Sequence, residues 1–253
     1  VNVTGGSFTT EGNYSNGIYA TGTMSTGLSV NGANFTTKGT NSNGIYASSQ
    51  TIAALNVTGG TMDIQGNNSN GVYADIQTTK DVKIDGTTIT TSGEGSNGIY
   101  ARSGNLELKN GTLNVNGTNS NGILLESTSY SGKAADTATI KNTKFYVNTP
   151  DSAASPGANN NGIYVGGGRT ITEISGSTFV LRGNGANRDQ NDNNIGILVG
   201  DETGLGKIDK ITKTTFDIKT TNANPNDQGG TGIYMHHGTV VLDEETTLTG
   251  DSN

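Results

Sequence analysis

The chain has 253 residues and a net charge of −7, with 30% apolar residues, 39 glycines, no tryptophan and no cysteine. The acidic balance disfavours nucleic acid or an anionic membrane as partner, the missing cysteines exclude a disulfide framework, and no apolar run is long enough to span a membrane. So polar a composition leans towards disorder unless its few apolar residues fall in register.

They do fall in register. Asn-Gly-Ile-Tyr-Ala stands at 16–20, 43–47 and 97–101, with looser copies elsewhere, anchored on Gly17, Gly44, Gly71, Gly98, Gly122, Gly162, Gly196 and Gly232. Successive anchors lie 27, 27, 27, 24, 40, 34 and 36 residues apart. A period that starts constant and then grows by insertion marks one supersecondary unit stacked on itself.

In chain order, a short apolar stretch ends on Val3, and Phe8 begins another five residues later, with Thr10 two further on. The corner Gly12-Asn13-Tyr14-Ser15-Asn16 leads into Gly17-Ile18-Tyr19-Ala20. The next turns repeat this as Val30, Phe35, Ile45, then Val57, Met62, Val72, then Ile84, Ile89, Ile99, then Leu108, Leu113, Ile123. Three more follow as Ile140, Phe145, Ile163, then Ile174, Phe179, Ile197, then Ile211, Phe216, Ile233, before Leu242 and Leu248, the last one residue late. Residues two apart share a face of a strand, so Ile18 and Ala20 point inward while Tyr19 between them points outward. Ile99 should then be buried between Val72 and Ile123 of the adjacent turns. No unit has a helical period.

These elements predict an all-β fold: a right-handed parallel β-helix with three short strands per turn and about eight turns, near ~38 Å of axis. It forms a single segment over 1–253, regular over 1–125 and carrying inserted loops over 126–253. Both ends look cut, so the expectation is a piece of a longer repeat protein. At the corner before each Gly-Ile-Tyr, Asn16, Asn43, Asn70, Asn97, Asn121 and Asn161 should pass amide hydrogen bonds from turn to turn. Asn and the glycine after it also tolerate the left-handed backbone of a sharp corner.

The insertions fall at 126–136, 148–160, 183–194, 200–206 and 220–230. Three of them (148–160, 183–194 and 220–230) occupy one corner of successive turns and should emerge along one edge, where solenoids often bind. Asp151, Arg188, Asp189, Asp192 and Asp227 give this edge mixed charge, and the outward Tyr164 and Tyr234 stand beside it. These seven residues are the candidate binding set.

Catalysis by paired carboxylates would need two acids across a groove. Asp189, Asp192, Asp201, Glu202 and Asp227 could gather at the inserted corner, with Asp209 and Asp217 on strands, yet no recognisable pair stands out, and no catalytic residue is assigned. His236 and His237 are the only histidines and, as neighbours on a strand, point opposite ways, so neither a metal nor a cofactor is expected.

Turn length, short strands, Asn/Gly/Thr-rich corners and the lack of cysteine resemble the passenger domains of type V autotransporter adhesins of Gram-negative bacteria. The resemblance spans the whole chain. It implies a surface-displayed, extracellular adhesin or stalk segment involved in cell adhesion and virulence. Its parent would be anchored in the outer membrane by a C-terminal β-barrel, with a protein or glycan receptor on a host or bacterial surface as partner. This segment itself would not touch a membrane. A proteolytic autotransporter with a serine-protease domain is not expected, and two-partner-secreted haemagglutinin-like rods are near relatives. The alternative from another class is a β-helical polysaccharide lyase or glycoside hydrolase.

Overall fold

The computed structural model describes residues 1–49, 52–76, 80–126, 136–148, 159–166, 168–183, 194–200, 206–220, 230–236 and 239–250. Three wholly parallel sheets run side by side along a common axis. Sheet A starts at Asn2–Thr4 and ends at Ile211–Thr212, and sheet B runs from Ser7–Thr10 to Thr247–Gly250. Sheet C carries the Gly-Ile-Tyr strands, from Ile18–Ala20 to Thr231–Met235. Each strand pairs with the strand of the same kind one turn away, so the chain is a parallel β-helix of three strands per turn. Right-handed coiling follows from the sterics of parallel crossovers.

The register is the one the repeat dictates. Ile99 pairs with Val72 on one side and Ile123 on the other, and it is fully buried. Phe8 pairs with Phe35, Phe145 with Phe179, and Phe179 with Phe216. Rings of the last three stack 4.4 and 4.8 Å apart, close to the spacing of neighbouring strands. Leu242 bridges Ile211 and Leu248 pairs with Phe216, so the last turn absorbs its extra residue between these two points.

Glycine in the signature has a different cause from the one the sequence suggested. Neither Gly17, Gly44 and their equivalents nor the ladder asparagines adopt positive φ. The left-handed residues are Tyr14, Asn41, Asn68, Gly95, Asn119 and Asn159, two places before the ladder asparagine. The signature glycines are required by close approach instead. A Cβ on Gly44 would lie 2.7 Å from the Gly71 carbonyl oxygen, and one on Gly98 would lie 2.6 Å from that of Gly122.

Two substitutions test this packing. Gly98→Ala should lower stability by about 1–3 kcal/mol, because a methyl group has no room against the next turn. Thr37 and Thr91 are buried on the inner face of sheet B with no hydrogen-bond partner for their hydroxyls. Thr91→Val removes such an unpaired hydroxyl and should raise stability by about 1 kcal/mol. Thermal melts followed by circular dichroism read both changes, and a Gly98→Ala protein as stable as the parent would contradict the close approach.

Candidate functional site

The corner leading into sheet C is built from two parallel ladders. In the outer one, Asn43 donates its amide to Asn16 at 2.8 Å, Asn70 to Asn43 at 2.7 Å and Asn97 to Asn70 at 2.9 Å. Asn121 then donates to Asn97 and Asn161 to Asn121, both at 2.8 Å. The expected amide ladder is present along its whole length. The inner ladder was not foreseen. Backbone N–H groups of Ser15, Ser42, Ser69 and Ser96 donate to the hydroxyl of the serine one turn on, at 2.9–3.2 Å. Each buried serine hydroxyl in turn donates to a glycine carbonyl, as Ser69 does to Gly39. Where serine runs out, Asn160 and Asn194 take its place through their side-chain oxygens. The signal was available: a serine precedes each of the first five ladder asparagines.

Outside sheet C stands the tyrosine row. Tyr19, Tyr46 and Tyr73 stack nearly parallel, with ring centres 5.0 and 4.7 Å apart. Tyr100 turns edge-on to Tyr73, because its hydroxyl donates to Glu126 at 2.6 Å. Past Tyr100 the row alternates in register as Leu124, Tyr164, Leu198 and Tyr234. Of the candidate binding set, Tyr164 and Tyr234 therefore share one outer row, two turns apart. Asp151, Arg188, Asp189, Asp192 and Asp227 lie outside the described residues, as does most of each inserted corner.

The strands that follow those corners, Asn161–Val165, Ile195–Val199 and Thr231–Met235, are neighbours in sheet C. Over them lies a hollow of about 440 Å³, lined by Asn159, Asn161, Ile195, Leu198, Thr231, Tyr234 and His236. His236 meets the Tyr234 ring edge-on at 4.9 Å. His237 lies outside the described residues. Sequence reasoning named Tyr234 and Asn161 for separate reasons, and the coil brings them to one place.

Two acids considered for catalysis are engaged elsewhere. Asp217 faces Arg182 at 3.4 Å and Lys219 at 3.7 Å, and Asp209 pairs with Lys207 at 2.5 Å. Asp209 also lies in the break between Lys207–Ile208 and Ile211–Thr212 rather than on a strand. Asp189, Asp192, Asp201, Glu202 and Asp227 lie outside the described residues. Among the described residues, no group of three or more His, Asp or Glu gathers as a metal site would require.

Arg169 was missed altogether. It is only 1% exposed, the largest fully buried side chain among the described residues, at the corner between sheets C and A. Its Nη1 reaches Asp136 Oδ2 at 3.2 Å and its Nη2 donates to the Gly104 carbonyl at 3.0 Å. Asp136 also accepts the Gly104 N–H at 2.8 Å. Burial pushes the Arg169 guanidinium below its ordinary range, while Asp136 works in the other direction. An isolated arginine in a loop-rich stretch carries no sequence signal for such a position.

Burial, and then the hydrogen bond to Glu126, push the Tyr100 phenol well above its ordinary range. The folded protein therefore keeps this proton after the unfolded chain has lost it. The resulting stabilisation is complete below about pH 10 and declines as the pH rises further. Melting temperatures from pH 8 to 12 should fall more steeply in the parent than in Tyr100→Phe. Parallel curves would mean that Tyr100 titrates alike in both states.

Comparison with protein-family models, with curated proteins and with solved structures finds no match for this chain.

Proposed function

We propose that this chain is a stretch of an extracellular rod belonging to an autotransporter-type surface protein of a Gram-negative bacterium, and that its inserted edge takes part in adhesion. One observation carries the reading. Eight turns stack in register into three long faces, and three of the five insertions fall at the corner entering sheet C in successive turns. A stiff rod with an irregular edge suits a protein that must stand away from a cell and touch something. The parent protein would be held in the outer membrane by a C-terminal β-barrel, as the architectural resemblance suggests.

The enzymatic alternative has less support. In the paired strands, no acid stands in register opposite another acid: Lys83 faces Glu107, Asp85 faces Lys109, and Thr139 faces Glu173. Side chains follow the same logic, with Glu173 held between Lys141 at 2.8 Å and Lys210 at 3.2 Å. Those lysines hold the Glu173 carboxyl below its ordinary range, which suits an ion pair and not a proton donor.

Trimming 148–160, 183–194 and 220–230 to the length of the corner at 117–121, with the strand ends Gly183 and Thr220 and the ladder residues Asn160 and Asn194 kept, tests the reading. The core strands are untouched and long surface loops add little stability, so the rod should keep its β signal and its display on the cell. Adhesion of cells displaying the parent protein should fall severalfold, because binding residues sit disproportionately on the loops of a rigid scaffold. Full adhesion with intact display would leave this stretch a passive stalk.

A further inference from the structure

We propose that the hollow on the outer face of sheet C binds a neutral sugar ring. The proposal deepens the adhesin reading and rests on it for the source of the sugar, a glycan on a neighbouring cell.

The hollow exists because two ladders lapse at the same turn. In the tyrosine row, Leu198 stands in register between Tyr164 and Tyr234. The rings on either side are thus two strand spacings apart, ~9.6 Å, where Tyr46 and Tyr73 sit in direct contact. In the asparagine row, Asn161 donates to Asn121, but the next place in register is Ile195. Every earlier ladder oxygen accepts from the following asparagine. No described residue donates to Asn161 Oδ1. The ladder thus ends in an open acceptor at one side of the hollow, with the Thr231 hydroxyl in the lining as a further polar group.

This combination selects a chemistry. Tyr234 presents a ring to the hollow, in T-shaped contact with His236. A pyranose has one apolar C–H face to lay on such a ring and a rim of hydroxyls that donate to an amide oxygen. Leu198 and Ile195 form the apolar floor. Among the described residues the lining holds no Lys, Arg, Asp or Glu, which favours a neutral sugar over a charged one. A hollow of about 440 Å³ lies within the ordinary range for small-molecule sites. An extended peptide is a poorer fit, because strand addition would run along the edge of Thr231–Met235, the last described strand of sheet C, and would seat the peptide beside the sheet and not over the hollow on its outer face.

The intact chain is tested by saturation-transfer NMR with lactose and diacetylchitobiose, and with sialyllactose as the charged control. Transfer from at least one neutral disaccharide is expected. Leu198→Tyr places a ring between Tyr164 and Tyr234 and fills the hollow without touching the core, and it should weaken that binding about ten-fold or more with an unchanged melt. Tyr234→Ala should weaken it similarly by removing the platform. Absence of transfer from both neutral sugars, transfer from sialyllactose alone, or equal binding in the parent and both variants would each overturn the proposal. Cell adhesion is read separately. Adhesion that persists when neither neutral sugar binds would remove the sugar site and leave the adhesin reading standing. Sugar binding lost in Leu198→Tyr with adhesion unchanged would keep the site and remove it from adhesion.

Discussion

The structure depends on how closely one turn can approach the next at the entry to sheet C. Successive glycine carbonyls there point at the place a side chain would occupy, with a virtual Cβ only 2.5–2.7 Å from the oxygen of the neighbouring turn, from Gly17 to Gly196. Glycine at every turn keeps the pitch short and uniform. With the pitch fixed, like residues stack on like: amides meet amides at 2.7–2.9 Å, and aromatic rings meet at the strand spacing. A single bulky residue in this column would push two turns apart and open every ladder that crosses the gap.

Stacking like on like also explains how so polar a chain folds. The core is a thin column of Ile, Val, Leu and Phe, and buried polar groups at the corners satisfy one another in repeating order. Ser69 is representative: its N–H donates to Ser96, and its hydroxyl donates to Gly39 while accepting from Ser42. Repetition satisfies each such group with an identical partner, so desolvating them is offset turn by turn. The unpaired hydroxyls of Thr10, Thr37 and Thr91 are places where the inner face departs from this economy.

Much of this was legible in the sequence because periodicity and strand geometry share one register. The inward positions of Ile99 and Phe145, the late Leu248 and the asparagine ladder all follow from counting residues between glycines. What counting could not supply is the backbone conformation inside a turn. The sequence suggested that the ladder asparagine and its glycine take the left-handed place, whereas Asn41 and Asn68 do, two residues earlier. The serine ladder was overlooked because serine at a corner ordinarily reads as a solvated turn former. The hollow was beyond reach for another reason: it arises from what is missing at Leu198 and Ile195, and only stacking reveals two absences as one space. Of the binding residues expected from the sequence, Tyr164 and Tyr234 fall on one described row, while the charged ones lie in the inserted corners.

Arg169 changes how this solenoid should come apart. In a stack of repeats, each unit ordinarily senses only the unit above and the unit below, so unravelling can spread from either end one turn at a time. The Arg169 guanidinium passes Asp136 in the adjacent turn and reaches the Gly104 carbonyl in the turn beyond. Three turns, spanning the change from regular to inserted repeats, thereby share one desolvated ion pair. Under mechanical load along the axis, peeling that arrives at this point must release them together, which makes the clamp a natural stop in the force-extension trace of the rod.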